Sequence, residues 1–174
     1  NIGSSNFTEL IVRIYNKIKR DIFGDSISKQ LYNEFIHYDK KNEALIKKGI
    51  IKVNKQTIII GRSGMSYLSF KAVNELGGKS ILHSQWMHPN AQNKFLSDEY
   101  KKMRISKKPI LKERIERQLL EIDIVDKVWS ISSLVSDSYI SNKIEKDKLI
   151  DCGLGVDLEK YQPRDSVQKN SDFN

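Results

Sequence analysis

The chain predicts an α/β fold, a parallel sheet flanked by helices, and three observations predict it. Short β-branched or apolar runs recur through its middle and end. A glycine- or serine-rich turn follows most of them, and a helical stretch then carries the chain to the next run. Strand, turn, helix, strand is a βαβ unit, and its strands are parallel.

Residues 7–20 (FTELIVRIYNKIKR) place Phe7, Leu10, Ile11, Ile14, Tyr15 and Ile18 at helical spacing, with basic residues gathering in the last turn where they suit the helix dipole. Asp25 and Ser26 offer caps for a second helix reaching to about Lys48, with Leu31, Phe35, Tyr38, Leu45 and Ile46 as its apolar face and Gly49 as its stop. Thr57-Ile58-Ile59-Ile60 reads as a strand buried on both faces. It ends at Gly61-Arg62-Ser63-Gly64, before the helical stretch SYLSFKAVNELGG. A second strand, residues 79–84, follows the Gly77-Gly78 stop. The pattern then repeats: helix ILKERIERQLLEID, strand 127–131, a Ser132-Ser133 start to helix LVSDSYISNKI, and strand 148–152. The two units together have the pattern of a doubly wound, Rossmann-like sheet, in which ligands bind beyond the carboxyl ends of the strands.

At 174 residues the chain has the length of one ordinary domain, and 39% hydrophobic with 30% charged residues exclude disordered and collagen-like classes. No apolar run approaches the roughly 20 residues that span a bilayer. The start, NIGSSNFTEL, lacks the basic and apolar regions of a secretory leader, and its first residue is Asn, as expected of a piece cut from something longer. Cys152 is the single cysteine, without neighbours at metal-ligand spacing, so a reducing, cytoplasmic setting is the default and no metal is expected. Lys and Arg exceed Asp and Glu by 30 to 22, a formal charge of +8 that asks for an anionic partner.

Four stretches at strand ends could carry chemistry, residues 61–66, 83–90, 130–133 and 152–157, and a basic stretch stands beside them. Gly61, Arg62, Ser63 and Gly64 open a helix, so backbone amides there could face an anion; the same residue types suit a plain tight turn, and both readings stay open. The spacing is neither a dinucleotide fingerprint nor a P-loop. In HSQWMHPN, His88 sits beside Trp86 and Asn90 on the loop after a strand, a position that favours a polar or acid/base role, whereas His83 is expected to pack within its strand. Ser130 and Ser132 stand where the next strand meets its helix. Lys101, Lys102, Lys107 and Lys108, with apolar residues between them, read either as a solvated helix face or as a patch for an anionic membrane surface. No aromatic RNA-binding motif accompanies them, and nucleic acid is not an expected partner.

The last third of the chain resembles the glycosyltransferase family 4 pattern. Asp126, Val128, Ser130 and Ser132 match its "aD.v..vS" segment, and Gly155, Val156, Asp157, Tyr161 and Pro163 match "G-V-D-x-x-x-[FY]-x-P", which crosses into a second domain. The middle, with a strand, a short helix, a second strand and a histidine loop, is similar to the same first domain, and Glu99 resembles a glutamate found after that loop. The resemblance implies one half of a GT-B enzyme: residues 1–154 an acceptor-side domain, its first strand missing, and residues 155–174 a hinge toward a C-terminal donor domain. It implies transfer of a sugar from a nucleotide sugar to a saccharide or lipid-linked acceptor, without a cofactor or metal. His88 would be the catalytic contact; Gly61, Arg62, Ser63, Gly64, Trp86, Asn90, Ser130 and Ser132 would line the cleft; Gly155 and Asp157 would form the hinge. The donor-side glutamate pair has no counterpart here, so this chain alone is expected to be inactive. The enzyme would work in the cytoplasm, peripheral to the inner membrane face. A non-catalytic basic α/β binding module and a nucleotide-sugar epimerase of the same fold are the alternative readings.

Overall fold

The computed structural model describes residues 27–106, 109–153, 155, 157 and 159–161. The helix expected over residues 7–20 lies outside them. Helix α1 (Ile27–Lys47) precedes strand β1 (Ile58–Arg62), α2 (Tyr67–Glu75), β2 (Lys79–Ser84), α3 (Pro89–Lys102), α4 (Lys112–Ile124), β3 (Lys127–Ser130), α5 (Ser133–Ile140) and β4 (Leu149–Asp151). The strands form one four-stranded sheet in the order β1-β2-β3-β4. Every pairing is parallel, with Ile60 opposite Ile81, Leu82 opposite Val128 and Trp129 opposite Ile150. The fold is α/β with a parallel, Rossmann-like sheet, as its strand–turn–helix texture predicts; the doubly wound pattern is not seen among the described residues, because the strands follow one another in sequence order with no reversal at which the helices would change face.

This strand order explains where the core lies. When each new strand is added on the same side through a right-handed crossover, the connecting helices fall on one face of the sheet. That face carries Leu82 and Val128, fully buried against Phe70 of α2, Ile122 of α4, and Val135 and Tyr139 of α5. A smaller cluster joins Ile46 of α1 to Ala72 and Val73 of α2 and so seats α1 along α2.

The alternate residues on the other face are mostly half-buried in β2 and β3 and exposed in β1. Ile58 is 61% exposed and Ile60 55%, so among the described residues β1 is an edge strand packed on one face only, a correction to the expectation that it is buried on both. A β-branched run reports strand propensity, whereas burial depends on what packs against it. Leu31 also departs from its expected place on the buried face of α1, where Gln30, Asp39 and Ile46 are the buried side chains.

A second correction concerns Pro89 and Asn90, expected on the loop after β2, and the residues up to Lys102, for which the sequence pattern predicts no helix. They form α3, with His88 as N-cap and Pro89 in its first turn. Proline suits that position because its missing N–H has no helical partner there in any case. The basic region therefore divides between the end of α3 and the start of α4.

Candidate functional site

The connections leaving β1, β2, β3 and β4 gather at the carboxyl edge of the sheet. Gly61 is demanded by packing: a Cβ there would stand 2.4 Å from Ser66 Oγ and 2.6 Å from Phe70 Cζ. Gly64 takes a left-handed φ of +85°, and the turn it makes releases α2 upward from β1.

The amides of this turn do face an anion, and the anion is internal. Glu121, reaching from α4, accepts the backbone N–H of Gly64 through Oε2 and that of Ser66 through Oε1 at 2.7 Å. Asp39, from α1, accepts from Leu68 and Ser69 at 2.8 and 2.9 Å and pairs with Arg117. Ser63 and Met65 give their N–H groups to the carbonyls of His83 and Arg62. Two carboxylates of the protein thus occupy the positive end of α2, where a ligand phosphate could otherwise sit. Burial pushes the Glu121 carboxyl up to about 7, against the pull of the two amide bonds and Arg117. Neither carboxylate was picked out as functional from sequence. The available signal is periodicity: Asp39 lies seven residues before Ile46, and Glu121 seven after Arg114, on faces that otherwise turn inward.

His88 lies 3% exposed beneath the loop it was expected to serve. Its backbone N–H donates to Ser138 Oγ at 2.8 Å, and its Nδ1 accepts from the Asn90 amide at 3.3 Å. The ring meets Tyr139 edge-on at 5.2 Å, and the Tyr139 hydroxyl, pushed up to about 12 by burial, shares a 2.7 Å hydrogen bond with Ser84 Oγ. Desolvation lowers the His88 pKa below its usual 6.5. A neutral ring whose Nδ1 accepts a hydrogen bond carries its proton on Nε2. Such a ring donates a hydrogen bond; at neutral pH it has no proton to spare as a general acid.

Arg62, Ser63 and Trp86, all expected at the cleft, do come together, lining a cavity of about 80 Å³ with Phe35, Met65, His83, Gln85 and Arg114. Arg62 Nη2 donates to Gln85 Oε1 at 2.8 Å, and Ser63 Oγ accepts from Gln118 Nε2 at 3.1 Å. His83 does pack, on Trp129 at 4.6 Å between ring centres, and it also borders this cavity.

Other expected residues fall elsewhere. Ser130 is fully buried, its hydroxyl shared with Ser136, so it belongs to the interior and not to a cleft wall. Ser132 caps α5 through the Val135 amide, and Asn90 is exposed on the first turn of α3. Gly64 is buried, turned toward Glu121. Beyond β4, Gly155 is exposed, and Asp157 Oδ1 accepts the amides of Glu159 and Lys160 at 3.0 and 3.2 Å. Lys101 and Lys102 are exposed and face Asp98 and Glu99, which offsets part of their charge, while Lys107 and Lys108 lie outside the described residues. Among the described residues no three His, Cys, Asp or Glu side chains cluster as metal ligands would, and no helix is long and apolar enough to cross a membrane.

Compared with known proteins, the chain matches no family model, and no curated protein resembles it at a significant level.

Proposed function

We propose that this chain is the acceptor-side half of a GT-B glycosyltransferase, which moves a sugar from a nucleotide sugar to a saccharide or lipid-linked acceptor. The observation that carries the reading is the segment after β4. There the G-V-D-x-x-x-Y sequence leaves the carboxyl edge of a parallel sheet, and Asp157 closes a turn on Glu159, Lys160 and Tyr161. A turn of that kind, capped by its own aspartate, gives a defined exit toward a second domain.

The chemistry needed from this half is positional. An acceptor hydroxyl must be held in line with the sugar carbon while a second domain stabilises the departing diphosphate. The cavity between β1 and β2 provides a polar floor for the acceptor, with Trp86 as an exposed apolar wall of the kind on which sugar rings pack. His88, buried outside this cavity and bonded to Ser138 and Asn90, would hold the loop that carries Trp86 in place for the acceptor.

Phe95, Met103 and Ile105 stand exposed around Lys101 and Lys102. Apolar side chains beside lysines suit the face of an anionic membrane, which fits a lipid-linked acceptor. Unchanged sedimentation with phosphatidylglycerol vesicles after Lys101, Lys102, Lys107 and Lys108 are changed to Gln would refute this surface.

The test is turnover of a panel of nucleotide sugars, with and without acceptors, by this chain joined to the sequence encoded after it. Acceptor-dependent release of the nucleoside diphosphate supports the transferase. Conversion of the donor without acceptor identifies an epimerase, and no turnover with uniformly salt-sensitive binding identifies a binding module.

A further inference from the structure

We propose that the cavity at the carboxyl ends of β1 and β2 is a binding site for one phosphoryl group, gripped by Arg62 and Arg114. The inference rests on the transferase reading only for what bears that group, namely the acceptor.

Charge is the first argument. Two guanidinium groups border a space of about 80 Å³, and no carboxylate lines it. Arg62, itself exposed, spends one nitrogen on Gln85, and the Arg114 side chain makes no ion pair or hydrogen bond among the described residues. An anion between two cations gains attraction from both. Each guanidinium carries five N–H donors in a planar fork that suits phosphate oxygens, so most of their capacity is unspent.

The remaining polar groups point to the same ligand. Ser63 Oγ already accepts from Gln118, which leaves its own proton free to donate. His83 Nε2 is buried and has no hydrogen-bond partner, a state that asks for an explanation in a native fold. The nearby helix N-terminus cannot compete for the anion because Glu121 and Asp39 hold its amides.

Size fits a small group: at about 80 Å³ the cavity falls well short of the roughly 300 Å³ or more that drug-sized ligands need. Two forked cations can each take two oxygens of a phosphoryl group, and a carboxylate has only two oxygens in all.

The experiment is calorimetric titration of the 174-residue chain with inorganic phosphate and with glucose 1-phosphate, alongside NMR of the His83 ring. The expected result is saturable one-to-one binding that shifts the His83 signals and weakens at least about tenfold in Arg62→Ala and in Arg114→Ala. Arg114→Lys retains the charge and should lose only a few fold, while Lys71→Gln, at an exposed position of α2, should change nothing. Melting curves establish that each variant is folded. Tighter binding of glucose 1-phosphate than of phosphate marks a soluble sugar phosphate as the bearer. Arg114-dependent sedimentation with phosphatidic acid vesicles marks a lipid-borne one. Both results support the site. Absent binding, or binding as tight in both alanine variants as in the unaltered chain, overturns it. Transfer to neutral acceptors without phosphate binding would remove this site and keep the transferase; phosphate binding without transfer by the extended polypeptide would do the reverse.

Discussion

Glu121 accepts the backbone N–H of Ser66 at 2.7 Å, joining the last turn of α4 to the N-cap of α2 across 55 residues of sequence. With its second oxygen on Gly64, this carboxylate makes a glycine turn that looks built for a ligand anion into a structural joint. The proposed phosphoryl site would draw its charge instead from the side chains of Arg62 and Arg114, which line the cavity beside this turn.

The joint has a pH signature. Burial raises the Glu121 pKa from 4.5 to about 7, so between those values the folded state holds a proton that the unfolded state has lost. Stability from this group is therefore complete below pH 4.5 and declines as pH rises to about 7, by about 3 kcal/mol. Glu121→Gln should remove that slope. It should also cost about 1–3 kcal/mol at pH 5, because its NH₂ confronts an amide donor that the carboxyl could accept. Urea unfolding of both proteins at pH 5 and pH 8 measures the two effects.

His88 should behave with the opposite sign. Its pKa is lowered by desolvation, so its contribution to stability is complete above the unfolded value near 6.5 and is lost as pH falls below it. NMR titration of its ring should give a midpoint below 6.5; a midpoint above 6.5 would contradict a desolvated, neutral donor. In the extended polypeptide, His88→Ala should lower the transfer rate by up to about 100-fold, as misplacement of an acceptor by loss of a buried support does.

Asp39 and Arg117 form a pair with side-chain exposures of 0% and 11%. Asp39→Ala leaves a guanidinium nearly buried without its partner and frees two amides of α2, and should cost about 3–5 kcal/mol. The urea midpoint of the variant checks this, and a change below 1 kcal/mol would show that the pair is not buried as described.

The open edge of the sheet makes a separate prediction. Ile60 is exposed on an edge strand whose second row of backbone groups is unpaired in the sheet. Ile60→Lys should reduce self-association of the isolated chain in light scattering while leaving the melting temperature within a few degrees.

Much of the fold was legible from local signals. Thr57-Ile58-Ile59-Ile60, the Gly61 turn and the Gly77-Gly78 stop announce strand, turn and helix because each is set by its own backbone chemistry. Helix α3 was missed because PNAQNKFLSDEYKK buries only Pro89 and so carries almost no apolar stripe; the proline after a cap residue was its one readable mark. The open face of β1 was not legible, since exposure depends on what packs across it. In the site, Arg62, Ser63 and Trp86 could be found by their place after strands, whereas Arg114 and Phe35 reach the cavity from helices distant in sequence, and only the fold brings them there.

The central claim, that these residues form one half of a sugar transferase, is tested most directly by comparing the 174-residue chain with the same chain extended through the following sequence. Sugar transfer from a nucleotide-sugar panel to added acceptors is the measurement. The account predicts acceptor-dependent transfer by the extended polypeptide and none by the short chain. Transfer by the short chain would place a donor site within these residues and contradict the division into halves, and transfer by neither would contradict the reading as a transferase.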